Sequence, residues 1–258
     1  MQVPRPAATV ALVRDGADGI ESYLLVRNPR LEFAAGATVF PGGAVDDADH
    51  DPALLEVASG ADEMTLSARM GSPPGASGYW FAAVRECFEE IGVLLTGGSD
   101  PPRFDPSELH AYRGALLHDE TSLLDVCRSL EVTLSLQSLR YFAHWITPAH
   151  SPRRYDTRFF IAPMPEGQSP DPDRGELVSG RWWKPADALE AHDDDELELI
   201  LPTQRSLLAI GAHPDVASLL AALDSAVPTA TVSATDDVNL RTVSDHGGHR
   251  IHLPIVDT

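Results

Sequence analysis

Arg85-Glu86-Cys87-Phe88-Glu89-Glu90-Ile91-Gly92 is the stretch of this chain best equipped to do chemistry. On a helix of 3.6 residues per turn, Glu86, Glu89 and Glu90 stand at i, i+3 and i+4 and project from one side, while Val84, Phe88 and Ile91 take the other. Three carboxylates this close repel one another. A helix that turns them into a cleft needs a cation, and a hard divalent ion, Mg²⁺ or Mn²⁺, is the natural one because it prefers oxygen donors and shares them with phosphate. Arg85, beside Glu86 and four residues before Glu89, has a five-donor fork able to pin a carboxylate in one rotamer. The same pattern also fits an ordinary solvated helix face.

A second feature is Pro41-Gly42-Gly43 after the short apolar run Ala37 to Phe40. Two glycines without side chains let backbone N–H or C=O groups approach a ligand, although a Gly-Gly turn alone is common. The two features together resemble the Nudix family. Its signature has a glycine, an acidic residue six positions on, and later Arg-Glu, two intervening residues, Glu-Glu and a glycine. Arg85, Glu86, Glu89, Glu90 and Gly92 match the helical half. Two departures stand out: Asp49 replaces the usual Glu six residues after Gly43, and the arginine expected at position 57 comes 28 residues late, at 85. Loop closure tolerates such an insertion, at about 0.6 kcal/mol per doubling of length, provided Gly43 and Glu86 remain neighbours in space.

An interrupted signature of this kind is similar to the branch that holds the peroxisomal coenzyme A diphosphatases of animals. Gly36-Ala37-Thr38-Val39-Phe40-Pro41-Gly42-Gly43 resembles the end of the coenzyme A motif, with Glu32 where an arginine is common and Arg30 as a substitute. Trp145 to Pro148 with Arg153 to Phe160, and Leu201 to Gln204, resemble two further blocks. The resemblance implies an α/β/α sandwich with a mixed sheet, a helical insertion and a C-terminal arm. It also implies metal-dependent hydrolysis of a nucleoside diphosphate-linked small molecule, with coenzyme A or acyl-coenzyme A going to 3′,5′-ADP and a 4′-phosphopantetheine species. Glu86, Glu89 and Glu90 would hold the metal beside Arg85, with Glu176 as a further metal-contacting or proton-accepting carboxylate on its loop. Gly42, Gly43, Arg27, Arg154 and Arg158 would contact the substrate, the arginines through phosphate. ADP-ribose, NADH or a nucleotide sugar as substrate, a nucleotide-binding regulator without turnover, and a structural interaction module are the other readings.

Around these residues the chain reads as one domain over 1–258. Apolar runs Ala7 to Val13 and Ser22 to Val26 suggest a hairpin. An insertion within the motif spans 50–78, its Ser59 to Gly78 part rich in Gly, Ser and Pro and so expected as an exposed excursion. Phe81, Val84, Phe88 and Ile91 mark a helix over Tyr79 to Leu94 with one buried stripe, Ser77 capping its start and Gly92 its end. A helical insertion at 107–139 comprises Ser107 to His118, Ser122 to Leu130 and a short helix at Leu134 to Leu139, and would serve as lid, dimer surface or scaffold. Strands follow at Arg140 to Ile146, Thr157 to Ala162 and Arg181 to Trp183, then helices from Pro185, Pro202 and Asp215. The arm at 229–258 carries β-like pieces at Thr229 to Val232 and Arg250 to Ile255.

Composition sets the limits. With 19 Lys plus Arg against 39 Asp plus Glu, the net charge of −20 argues against nucleic acid or an anionic membrane as partner. At 43% hydrophobic residues the chain can build a core. No run approaches the roughly 18 apolar residues of a membrane span. Only two cysteines, Cys87 and Cys127, are present, too few for a disulfide scaffold, which suggests a reducing, cytoplasmic setting. A homodimer stays open.

Overall fold

The computed structural model describes residues 3–30, 36–60, 62–72, 74–97, 104–147, 151–173, 177–224, 245–246 and 249–250. The chain opens with the expected hairpin, β1 (Arg5–Gly16) and β2 (Gly19–Arg27), antiparallel and paired from Val13 with Ser22 to Gly16 with Gly19. β3 (Thr38–Val39) adds to β2, and β4 (Gly42–Ala44) pairs antiparallel with the first half of β1, Gly43 opposite Ala8. After two 3₁₀ turns, Asp47–His50 and Pro52–Val57, come β5 (Ala58–Ser59), α1 (Glu63–Arg69) and the long α2 (Ser77–Ile91).

Next are α3 (Pro106–Leu117), α4 (Leu123–Ser129) and β6 (Leu134–Ser135). β7 (Arg140–Ile146), β8 (Tyr155–Pro163) and β9 (Leu177–Trp183) complete the main sheet, in which β8 runs parallel to β1 and antiparallel to β7, and β9 pairs with β2. α5 (Pro185–Asp193), α6 (Leu201–Ile210) and α7 (Val216–Asp224) follow. The result is a mixed seven-stranded sheet with helices on both faces.

Strand alternation assigns the two cores. On β1, Ala8, Val10 and Leu12 pack toward α2 and the helical insertion, whereas Ala11 and Val13 pack toward the layer that holds α5, α6 and α7. Because β8 is in parallel register with β1, Phe160 and Ala162 join the first core and Phe159 and Ile161 the second. No helix among the described residues is long and apolar enough to cross a membrane.

Four expectations need correction. The 59–78 stretch is not an exposed excursion, since Leu66, Met70 and Ala76 enter the α2 core and its small residues allow close packing. α2 is buried on nearly every side, not along one stripe, because this insertion and α3 cover the sides the sheet does not. Ser77 does not cap it. The N-cap is Ala76, and the Glu63 carboxylate accepts the N–H groups of Gly75, Ala76 and Ser77 at 2.7, 3.0 and 3.4 Å instead. Finally, Leu134 to Leu139 is no helix: Leu134 and Ser135 pair in parallel with Ala58 and Ser59, and Leu134, Ser135 and Leu136 are all buried. Of the C-terminal arm, only the ladder of β10 (Asp245–His246) with β11 (His249–Arg250) is described. Thr229 to Val232 and residues 251–255 lie outside the described residues.

Candidate active site

α2 positions the carboxylates. It ends as its sequence requires: Gly92 adopts φ +69°, a left-handed conformation that costs glycine little, and its N–H returns to the Phe88 carbonyl at 2.9 Å. Opposite this last turn lies β4, which reaches the site because β1 accepts β4 along its first half and β2 along its second. The Gly42 N–H donates to Glu90 Oε2 at 2.9 Å. A Cβ built on Gly43 would stand 2.4 Å from Glu86 Oε1, so that position has room for glycine only while Glu86 keeps its place. Gly43 and Glu86 are therefore neighbours despite the insertion between them.

Arg85 organises the cluster with all five of its N–H donors. Nε and Nη2 grip Asp49 Oδ1 and Oδ2 at 3.0 and 2.9 Å, and Nη2 also donates to the Ala44 carbonyl at 2.7 Å. Nη1 donates to Glu86 Oε1 at 2.9 Å and Glu89 Oε2 at 2.8 Å. Asp49 is only 1% exposed. It is fixed in turn by the 3₁₀ turn 47–50, where its Oδ2 accepts the Asp46 N–H at 2.9 Å and the Asp46 side chain reciprocates. The shorter Asp thus fills the position where the family usually has Glu, because the turn carries it up to the guanidinium.

The electrostatics follow from this enclosure. Burial raises the pKa of Glu86 above the usual carboxylate value, Arg85 opposes the rise, and Glu89 and Asp49 add to it. Glu89 is raised for the same first reason. Arg85 loses solvation, but the hydrogen bond to Asp49 and the charges of Glu86, Asp49 and Glu89 more than compensate and hold it cationic. A site that gathers several carboxylates around one guanidinium is short of positive charge, and its donors are all oxygen. That chemistry suits a hard divalent ion. Among the described residues, no three acidic, His or Cys side chains already form a closed ligand set. Arg85 holds one oxygen each of Glu86 and Glu89, leaving the second carboxylate oxygen of each as the donor to offer a metal.

Of the remaining expected residues, Arg158 is linked to this centre by the sheet register. Arg158 continues a row across the sheet, Gly43 beside Ala8, Ala8 beside Arg158 and Arg158 beside His144. Its guanidinium stands 5.3 Å from the ring centre of Tyr79, on the first turn of α2, and Nη1 meets His144 Nδ1 at 3.0 Å and Tyr141 Oη at 3.4 Å. Asp156 contacts both His144 Nε2 and, at 3.6 Å, Arg158 Nε. Asp156 and Arg158 thus pair on this strand, and His144, Tyr79 and Tyr141 extend the group. Arg154 donates to the Thr147 carbonyl at 3.1 Å, and Arg27 ends β2, its N–H bonded to the Ala37 carbonyl at 3.0 Å. Trp182 and Trp183 carry Arg14 and Arg181 over their rings. Glu176 lies outside the described residues.

Sequence reasoning missed Asp46, His144, Glu63 and Arg113, the last of which donates from α3 to the Glu89 and Glu90 carbonyls, as parts of this assembly. The Asp46-x-x-Asp49 spacing is a capping-box signal that could have shown the first. A single arginine in the α3 sequence gives no such signal, since it reads as a solvated side chain.

The NUDT19 Nudix domain matches residues 66–208, more than half of the chain. The human protein named acyl-coenzyme A diphosphatase NUDT19 is 29% identical over 221 residues, covering 72% of this chain and 59% of its own length; the Gallus gallus protein of the same name is 28% identical, covering 70% and 58%. This chain thus spans somewhat under two thirds of those relatives. The crystal structure of a Nudix hydrolase from Alicyclobacillus acidocaldarius superposes with a TM-score of 0.72 at 27% identity, covering 86% of this chain and 98% of that one. The motif assembled around Arg85 and the extent of these matches lead to one conclusion: the chain belongs to the Nudix hydrolase family, in the branch of the NUDT19 Nudix domain.

Proposed function

We propose that this chain hydrolyses a nucleoside diphosphate linked to a second moiety, and that the favoured substrate is coenzyme A or an acyl-coenzyme A. Water adds to one phosphorus, the bridging P–O bond breaks, and the products are 3′,5′-ADP and the (acyl-)4′-phosphopantetheine species. The observation that carries the reading is the Arg85-centred cluster of Glu86, Glu89 and Asp49, closed against Gly42 and Gly43 across the interruption in the motif. The names of the relatives favour the coenzyme A class.

Each residue then has a task. Glu86, Glu89 and Glu90 hold Mg²⁺ or Mn²⁺, which when bound neutralises diphosphate oxygens and lowers the pKa of the attacking water. Arg85 fixes the rotamers of Glu86 and Glu89, and Asp49 fixes Arg85. Gly42 and Gly43, without side chains, let β4 lie close against β1 and Glu86 and so bring backbone to the edge of the substrate site. Arg27, Arg154 and Arg158 meet substrate phosphates, the 3′-phosphate among them, and Glu176 supplies a carboxylate to the metal or to the proton of the water.

A second reading keeps the chemistry and changes the leaving group to ADP-ribose, NADH or a nucleotide sugar; Glu32 in place of the arginine of the coenzyme A motif favours it. A panel of coenzyme A, acyl-coenzyme A, ADP-ribose and NADH, each with Mg²⁺ and with Mn²⁺, decides. Release of 3′,5′-ADP, abolished by Glu89→Gln, supports the first reading. Preferential turnover of ADP-ribose or NADH supports the second. No turnover of any member, with nucleotide still bound, identifies a regulator instead.

A further inference from the structure

The last turn of α2 presents four carbonyls with no partner inside the helix. Every one is satisfied, and by three separate stretches of chain. Phe88 O accepts from the Gly92 N–H at 2.9 Å, and Ile91 O from the Asp171 N–H at 2.9 Å. Glu90 O accepts from the Asp173 N–H at 2.8 Å. The remaining bonds come from one side chain on α3: Arg113 Nε donates to Glu89 O at 2.8 Å and Arg113 Nη2 to Glu90 O at 2.7 Å.

Arg113 is only 6% exposed, a guanidinium taken from water and aimed at the backbone of two carboxylate residues. Its position at the helix C-terminus puts positive charge where the peptide dipoles leave negative charge. The C′ residue Gly92 belongs to the same arrangement, because a Cβ there would lie 3.3 Å from Arg113 Nη1.

We infer that Arg113 is a positioning residue for the carboxylate helix, fixing through the Glu89 and Glu90 carbonyls the placement of the two side chains that those residues carry. Arg85 sets the carboxylates from the front and Arg113 sets their backbone from behind. The 107–139 insertion therefore completes the site as scaffold. A lysine replaces it only in part, since one ammonium does not present the planar fork that spans two successive carbonyls.

The inference rests on the proposed metal-dependent hydrolysis, and the experiment separates the two. Wild type, Glu89→Gln, Arg113→Met, Arg113→Lys and the exposed-residue control Arg128→Met are compared as full chains, reading kcat and KM on the best substrate of the panel and Mn²⁺ affinity by EPR. Wild-type turnover that Glu89→Gln abolishes upholds the hydrolysis; absence of wild-type turnover overturns the hydrolysis, whereas turnover that Glu89→Gln leaves intact upholds it and overturns this inference. With hydrolysis upheld, Arg113→Met is expected to lower kcat and weaken Mn²⁺ binding by about 10- to 100-fold, as loss of a group that orients metal ligands does. KM stays near wild type, Arg113→Lys shows the same defect in milder form, and Arg128→Met matches wild type. A folded Arg113→Met with wild-type kcat and Mn²⁺ affinity overturns the inference. Should Arg113→Met not fold, wild-type values in Arg113→Lys overturn it and a kcat and Mn²⁺ defect at unchanged KM sustains it.

Discussion

Asp49 grips Arg85 through both carboxylate oxygens, at 3.0 and 2.9 Å, across a separation of 36 residues in the chain. This contact closes the interrupted motif. The turn that follows β4 delivers Asp49, α2 delivers Arg85, and the intervening insertion contributes core residues and a cap to the same helix instead of looping out.

Removing Asp49 takes two of the five bonds from the buried Arg85, which keeps Glu86, Glu89 and the Ala44 carbonyl. Asp49→Ala is therefore expected to destabilise the protein by about 1.5 to 3 kcal/mol, measured by urea denaturation. Arg85→Lys, with three donors for the five bonds Arg85 makes, is expected to lower kcat while costing less stability than Asp49→Ala. Equal effects of both variants on kcat and stability would argue against a division between holding and orienting.

The adjacent glycines should fail in different ways. A Cβ on Gly43 meets the end of the flexible Glu86 side chain, which can swing aside, so Gly43→Ala is expected to fold and to lose activity. A Cβ on Gly42 would stand 2.5 Å from the Ala8 carbonyl oxygen and 2.7 Å from Thr9 Cα, backbone that cannot yield cheaply. Gly42→Ala is expected to lower the melting temperature. Thermal denaturation alongside steady-state kinetics checks both, and an active Gly43→Ala would contradict the placement of Glu86.

Much of this was legible in the sequence because it is local. The i, i+3, i+4 carboxylates, the Gly92 stop and the β1–β2 hairpin follow from periodicity and turn chemistry, and the structure places them as expected. The resemblance of the motif halves carried the fold. What the sequence concealed is tertiary. Nothing in Ser59 to Gly78 announces that Leu66 and Met70 enter the core, since small residues there suit a loop equally well. Nor does a single arginine at 113 or glutamate at 63 show that it closes an end of α2 from another element.

Glu63 offers a test by pH. Burial opposes its charge, but the hydroxyls of Ser77 and Ser67 and the amides of Gly75 and Ser77 outweigh that and hold its pKa below the usual value. A carboxylate whose pKa is depressed by folding stabilises the protein above its unfolded value of about 4.3 and loses that contribution as pH falls through the folded value. Glu63→Gln, which imitates the protonated form, is expected to be less stable than wild type by about 1 kcal/mol at neutral pH. The gap should close below about pH 4. A gap that does not change with pH would remove the charge from this account of the cap.

Substrate phosphate gives a further prediction. If Arg27 or Arg154 reads the 3′-phosphate, its replacement by Met raises KM for coenzyme A and leaves KM for dephospho-coenzyme A unchanged. Equal turnover of the two substrates by wild type would contradict that role for both arginines.

The most direct test of the central claim is Mn²⁺-dependent release of 3′,5′-ADP from coenzyme A by wild type and Glu89→Gln, with circular dichroism to verify that both are folded. The account predicts turnover that chelation abolishes and metal restores, and a fall in kcat of at least about 100-fold, or roughly 2.7 kcal/mol in the barrier, in the variant. A folded Glu89→Gln that turns over at the wild-type rate would contradict it.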